Sequence, residues 1–255
     1  MTVRPWLVAA AGVATLAAWS PATPAGPSKY KVELKTSVTQ DLTALGQDQQ
    51  KQEFSNTAWV TVTTRDSADG EAVVIVLDSL MAGAGSPFAA GAAESKGLSW
   101  TGFRQPNGRV KELTPDREGM VGVGLLGMVQ QLIPPMKRGT PEGQTWTDTT
   151  DATNQGVAVR TVTNFQTSGA MVDGHKVVKL AGSASTALSG QQESPNGTMQ
   201  VDGTGSSTGN WMVAADGLSV SASFSGIQNI SVTVTGLPAP IPVTVVLEGS
   251  AMLLP

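Results

Sequence analysis

Three short patterns in this 255-residue chain place chemically capable residues at suggestive spacings. Gly122-x-Gly124-x-x-Gly127 has the glycine spacing of a dinucleotide-binding turn, where bare backbone closes on a pyrophosphate. Gly205-x-Ser207-x-Gly209 has the form of a nucleophile elbow, whose serine requires a histidine as base. Asp148-x-x-Asp151, with nearby threonines and Asn154, offers oxygen ligands of the kind calcium takes.

The surroundings of each pattern argue for a plainer reading. A dinucleotide turn needs a strand feeding its first glycine inside a βαβ unit of about 30 residues, whereas Thr114-Pro115-Asp116-Arg117 precede this one. The single histidine, His175, lies upstream of Ser207, while the hydrolase order places it downstream, and no helix pattern follows the serine. One histidine beside the Asp173-Gly174 turn cannot build a His-based metal site. The Asp148 loop lacks the acid spacing and terminal glutamate of an EF-hand, and aspartates at such positions also make turns. The chain has no cysteine, which excludes disulfides, thiolate metal sites and cysteine nucleophiles. Asn196-Gly197-Thr198 and Asn229-Ile230-Ser231 match a glycosylation acceptor, which matters only in a glycosylating host. The expectation is therefore no catalytic residue, no metal and no cofactor.

What must position any site is read from periodicity. The first residues, MTVRP followed by the apolar run WLVAAAGVATLAAW and then SPATPAG, have the layout of a secretory signal peptide, with Ala22 or Ala25 as the cleavage point. The run is shorter than the ~20 residues of a membrane-spanning helix, so no membrane span is expected once residues 1–25 are removed. Leu16-Ala17-Ala18-Trp19 matches a bacterial lipobox except for the terminal cysteine, leaving nothing to acylate. The expected location is periplasmic or secreted. The net charge of −4 becomes −5 without Arg4, which gives no attraction to phosphate backbones, so nucleic acid is not an expected partner.

Residues 26–255 read as one β-rich domain. In "YKVELKTSV", Tyr30, Val32, Leu34, Thr36 and Val38 alternate with charged residues, the period of a half-buried strand. "EFSNTAWVTVTT" and "EAVVIVLDSL" continue as hairpin neighbours, and "LSWTGFRQ" and "RVKELT" flank a turn at Pro106-Asn107-Gly108. From Gln144 onward strand patterns succeed one another, with "LSVSASFSG" and "ISVTVTG" reading as separate strands. Residues 81–97, rich in glycine, read as a mobile loop. "PDREGMVGVGLLGMVQQL" reads as a helix over about 116–132, with Thr114 or Asp116 as cap and Pro115 at its start, ended by Pro134-Pro135. Its four glycines cost about 3–4 kcal/mol of helix propensity, so it requires a concave partner.

The passage "LIPPMKRGTPEGQTW" resembles a segment of an uncharacterised family of secreted bacterial proteins, with Leu132, Pro134, Gly143 and Trp146 at the matching positions. The whole layout resembles the lipoprotein-carrier-like half-barrel proteins of bacterial envelopes. That resemblance implies a compartment and a fold, and no particular activity. The expected architecture is mainly β: a large curved antiparallel sheet or half-barrel of about ten strands with one apolar helix in its concave face. A two-sheet β-sandwich is the alternative.

A greasy helix against a curved sheet makes a site for a lipid or other apolar ligand. The residues expected to line it are Met81 and Phe88 from the loop, and Val121, Val123, Leu125, Leu126, Met128 and Val129 from the helix. The competing expectation is an envelope structural or interaction module, in contact with another envelope protein, whose helix simply fills the core.

Overall fold

In the computed structural model, residues 26–67, 70–117, 119–154, 156–194 and 197–255 are described; the signal-peptide reading of residues 1–25 lies outside them. Among the described residues the chain is mainly β and forms one large open antiparallel sheet of eleven strands, rather than a sandwich. The strands are β1 (Ser28–Gln40), β2 (Gln50–Ser67), β3 (Gly70–Ala82), β4 (Ser99–Arg104), β5 (Val110–Pro115), β6 (Thr145–Asn154), β7 (Val157–Val172), β8 (His175–Ser194), β9 (Gly197–Val213), β10 (Ser219–Val234) and β11 (Ile241–Leu253). Between β5 and β6 lie two five-residue helical segments, α1 (Met120–Gly124) and α2 (Leu126–Gln130).

The sheet is two meanders joined by a seam. Its order is β5-β4-β3-β2-β1-β11-β10-β9-β8-β7-β6, so β1 pairs with β11 and the edges are β5 and β6. The chain segment from β5 to β6 therefore connects one edge of the sheet to the other. "LSVSASFSG" and "ISVTVTG" turn out to be one strand, because Gly226 stays inside the ladder, opposite Ser207 on one side and Leu247 on the other.

Alternation decides which face is covered. Tyr30 and Val32 of β1, Ala58, Val60 and Val62 of β2, and Val73, Ile75 and Leu77 of β3 are buried on one face. They join Leu125, Met128, Val129, Leu132 and Ile133 of the helical passage in one core, reinforced by Trp100, Leu180 and Trp211. Burial of these side chains, each worth roughly 1.5–3 kcal/mol, is what holds a passage too short to be helical alone.

The helix expected over about 116–132 is thus corrected to two short segments. Pro115 is the last residue of β5, opposite Trp100, and does not begin a helix. The Asp116 carboxylate accepts hydrogen bonds from Ser99 N–H (3.1 Å) and Ser99 Oγ (3.0 Å), fastening β4 instead of capping α1. The glycines shorten the helix, and Leu125, at φ −86° and ψ −7°, divides it. Two indole N–H groups fix what remains: Trp100 donates to Gly122 O and Trp211 to Gln131 O, both at 2.9 Å.

The segment between β3 and β4, expected as a mobile loop, is tied to β2 and β3. Gly83 N–H donates to Ser55 O (2.7 Å), Gly97 N–H to Leu77 O (2.8 Å), and Ser86 Oγ to the buried Asn56 Oδ1 (2.7 Å). At the end of the sheet near Glu71, charged side chains pair across the concave side. The buried Arg104 faces Glu71 at 3.4 Å and donates to Met136 O at 2.7 Å, while Arg138 bridges Glu71 and Asp66. Burial pushes the Arg104 guanidinium down, with Glu71 opposing that shift.

Candidate ligand-binding trough

Beyond the helical passage, the concave face of β6–β11 is not filled. A cavity of about 910 Å³ opens there. Its walls follow from the register, which runs without a bulge across these strands over the rows concerned, so that side chains opposite one another share a face.

Nearest the helices is a tier of aromatic rings over glycines. Phe165, Gly182, Gly209, Phe224 and Gly249 stand opposite one another in successive strands. Added side chains at these glycines would overlap rings: Phe165 at Gly182, Trp211 at Gly209 and Phe224 at Gly249. The rings thus occupy the space the glycines leave, and Trp146 of β6 stacks on Phe165 at 5.2 Å between centroids. Met128 and Ile133 complete this wall from the helical side, and Leu34 from β1.

One row further along each strand the chemistry changes. Asp148, Thr163, Ala184, Ser207 and Gly226 form the next row, and Thr150, Thr161, Thr186, Gly205 and Gln228 the one after. Both rows line the cavity. Thr161 and Thr186 hydroxyls lie 3.1 Å apart. With Gly205 and Gly226 in these rows the floor is in places bare backbone, which permits a strongly curled sheet.

The two open edges meet across this tier. Arg109, in the β4–β5 turn, donates from Nε to Asp148 Oδ2 (2.9 Å) and from Nη2 to Thr149 O (3.3 Å) on β6. Lys111 stands exposed on β5 at the same wall. Tyr30, at the opposite end, has its phenol pushed above its ordinary range, first by burial and then by the charge of Asp216.

The residues expected to line a ligand site fall into different places. Met128 lines the cavity, together with Gly124 and Gly127 of the same passage. Leu125 and Val129 are wholly buried, and Phe88 is buried against them in the same core, its ring over Gly124. Val121 and Leu126 are partly buried against that core. Met81 and Val123 are exposed, at 60 % and 61 %. Sequence reasoning missed the opposite wall, Phe165, Trp211, Phe224 and the threonines, although the alternating threonines of "VRTVTNF" and the glycines spaced through "GSAST" and "GTGSSTGNW" were the available signal.

The earlier chemical patterns are separated by the fold. Ser207 stands opposite Ala184, nine residues along β8 from His175, which at ~3.3 Å per residue is about 30 Å away. Asp148 and Asp151 lie on a strand at odd spacing and so on opposite faces, and among the described residues no group of acids or histidines is placed to hold a metal. Gly122, Gly124 and Gly127 sit in the helical passage, with Gly122 O taken by Trp100. Among the described residues no helix is long and apolar enough to cross a membrane. No protein-family model and no curated protein matches the chain.

Proposed function

We propose that this protein is an exported, non-enzymatic carrier or reservoir that holds a lipid or similar apolar molecule in the trough of its half-barrel. The observation that carries the reading is the cavity of about 910 Å³ between the helical passage and β6–β11, walled at its inner end by Phe165, Trp211, Phe224, Met128 and Ile133. A water-filled space of that size beside aromatic rings is an unfavourable use of apolar surface, and a hydrocarbon chain relieves it. The N-terminal pattern of residues 1–25 supports a periplasmic or secreted location, and the distance between Ser207 and His175 supports a role without hydrolysis.

A second reading, an envelope interaction module with no ligand, is favoured by the dense packing of the β1–β5 half, where the helical passage fills the concavity. Native mass spectrometry of protein purified from its own envelope, followed by lipid extraction, separates the two. A lipid recovered in stoichiometric amount supports carriage; protein that is repeatedly empty supports the interaction module.

A further inference from the structure

The trough does not stop at the cavity. Past the threonine rows, in unbroken register, come Ala152, Val159, Leu188, Gly203, Ile230 and Val243, and after them Val157, Gly190, Val201, Val232 and Ile241. From Val157 to Ile241 the aliphatic members of these rows are half-buried, while their outward neighbours Ala158, Ser189, Asp202, Ser231 and Thr233 are exposed. None of them belongs to the packed core. The concave face is therefore banded along the strands: aromatic, then hydroxyl-bearing, then aliphatic.

Length narrows what fits. From the Phe165 row to the Val157 row is eight residues of β7, about 26 Å at ~3.3 Å per residue. One leaflet of a bilayer, half of a hydrocarbon core ~30 Å thick, accommodates a lipid tail in about 15 Å. A single tail fills one apolar band and ends at the hydroxyls; it does not reach the other.

The middle band is polar and mostly uncharged, with Lys111 exposed on β5 at its wall. Its donors are the hydroxyls of Thr150, Thr161, Thr163, Thr186 and Ser207 and the amide of Gln228, and its one acid, Asp148, is paired with Arg109. Plain hydrocarbon laid across it would strip water from these groups and return no hydrogen bond. An ester or amide carbonyl accepts from a hydroxyl and carries no charge.

Resting on the carrier reading above, we infer that the ligand is a molecule with hydrocarbon on both sides of a central uncharged ester or amide. One arm lies on Phe165, Trp211 and Phe224, the linkage on the threonine rows, and the second arm on Val159, Leu188, Ile230 and Val243.

The test uses the full chain loaded from detergent micelles with three probes: decyl decanoate, whose two arms together match the length of the trough, the unbranched alkane of equal length, and palmitic acid. Retention is read by native mass spectrometry and by competition. The inference expects the ester retained one to one and at least about tenfold better than the alkane. It expects Thr163→Val with Thr186→Val to bring ester and alkane within about twofold. It expects Ile230→Asn to weaken the ester about tenfold and leave palmitic acid unchanged; should that variant unfold, Val159→Thr carries the same comparison. Palmitic acid or alkane retained as well as the ester, with Ile230→Asn and Val159→Thr both silent, overturns the two-armed ligand and leaves the carrier reading standing. Failure of all three probes to be retained removes the carrier reading itself.

Discussion

Tyr30 is the only tyrosine of the chain, and its hydroxyl is buried without a hydrogen-bond partner among the described residues. Burial raises its pKa in the folded state, so folding holds the proton more tightly than the unfolded chain does. The associated stability is present below the ordinary phenol value of about 10 and is lost as pH rises above it. Phenolate absorbance, which reports this one residue, is expected to appear together with alkaline unfolding and not before it. Tyr30→Phe, which removes an unsatisfied hydroxyl from the core, is expected to stabilise the protein by about 1 kcal/mol in urea denaturation and to delay alkaline unfolding. At Gly209 the reverse holds. A methyl there overlaps the Trp211 ring, whose N–H is hydrogen-bonded to Gln131 O. Gly209→Ala is expected to cost about 1–3 kcal/mol, and the same denaturation measurement, with tryptophan fluorescence following the displaced ring, checks it.

At the scale of elements, what periodicity could reveal depended on how strongly the two faces of a segment differ. β1 and β3 alternate between buried positions and more accessible ones along part of their length, and the strand reading of both was available from residue types alone. The helical passage was legible as apolar but not as broken, because Pro115 and Asp116 make as good a strand end and side-chain clasp as a helix start. The trough's far wall was the least legible part. Ser, Thr, Ala and Gly in β7–β10 gain their meaning from partners in other strands, as when Thr161 meets Thr186, and single-strand periodicity carries no cross-strand register. The pairing of Arg109 with Asp148 was hidden for the same reason. It ties the β4–β5 hairpin to β6 with 45 % of the arginine side chain exposed, so its share of global stability is expected to be under about 1 kcal/mol. Arg109→Ala is expected to leave the urea midpoint nearly unchanged while hydrogen exchange quickens selectively in β6, the edge strand released; exchange quickening evenly across the sheet would contradict a local tie.

For the molecule as a whole, openness and curvature divide the labour. The β1–β5 half is packed solid by the helical passage, and the β6–β11 half holds the trough, so one sheet provides both a rigid back and an accessible face. The seam between them has a temporal consequence. Tyr30 is paired with Leu253, so a strand made first in synthesis finds its neighbour only when β11 has been made. Until then β1 and β10 each present an unsatisfied edge, the kind of surface on which chains pair wrongly with one another. A chain ending at Gly236, before β11, is expected to lose the seam and aggregate, as light scattering would register against the full chain. Closure over so long a loop also predicts slow folding, on the scale of milliseconds to seconds. For the export proposed above, this topology would keep the chain in a translocation-competent, uncompacted form until its β11 strand has been made.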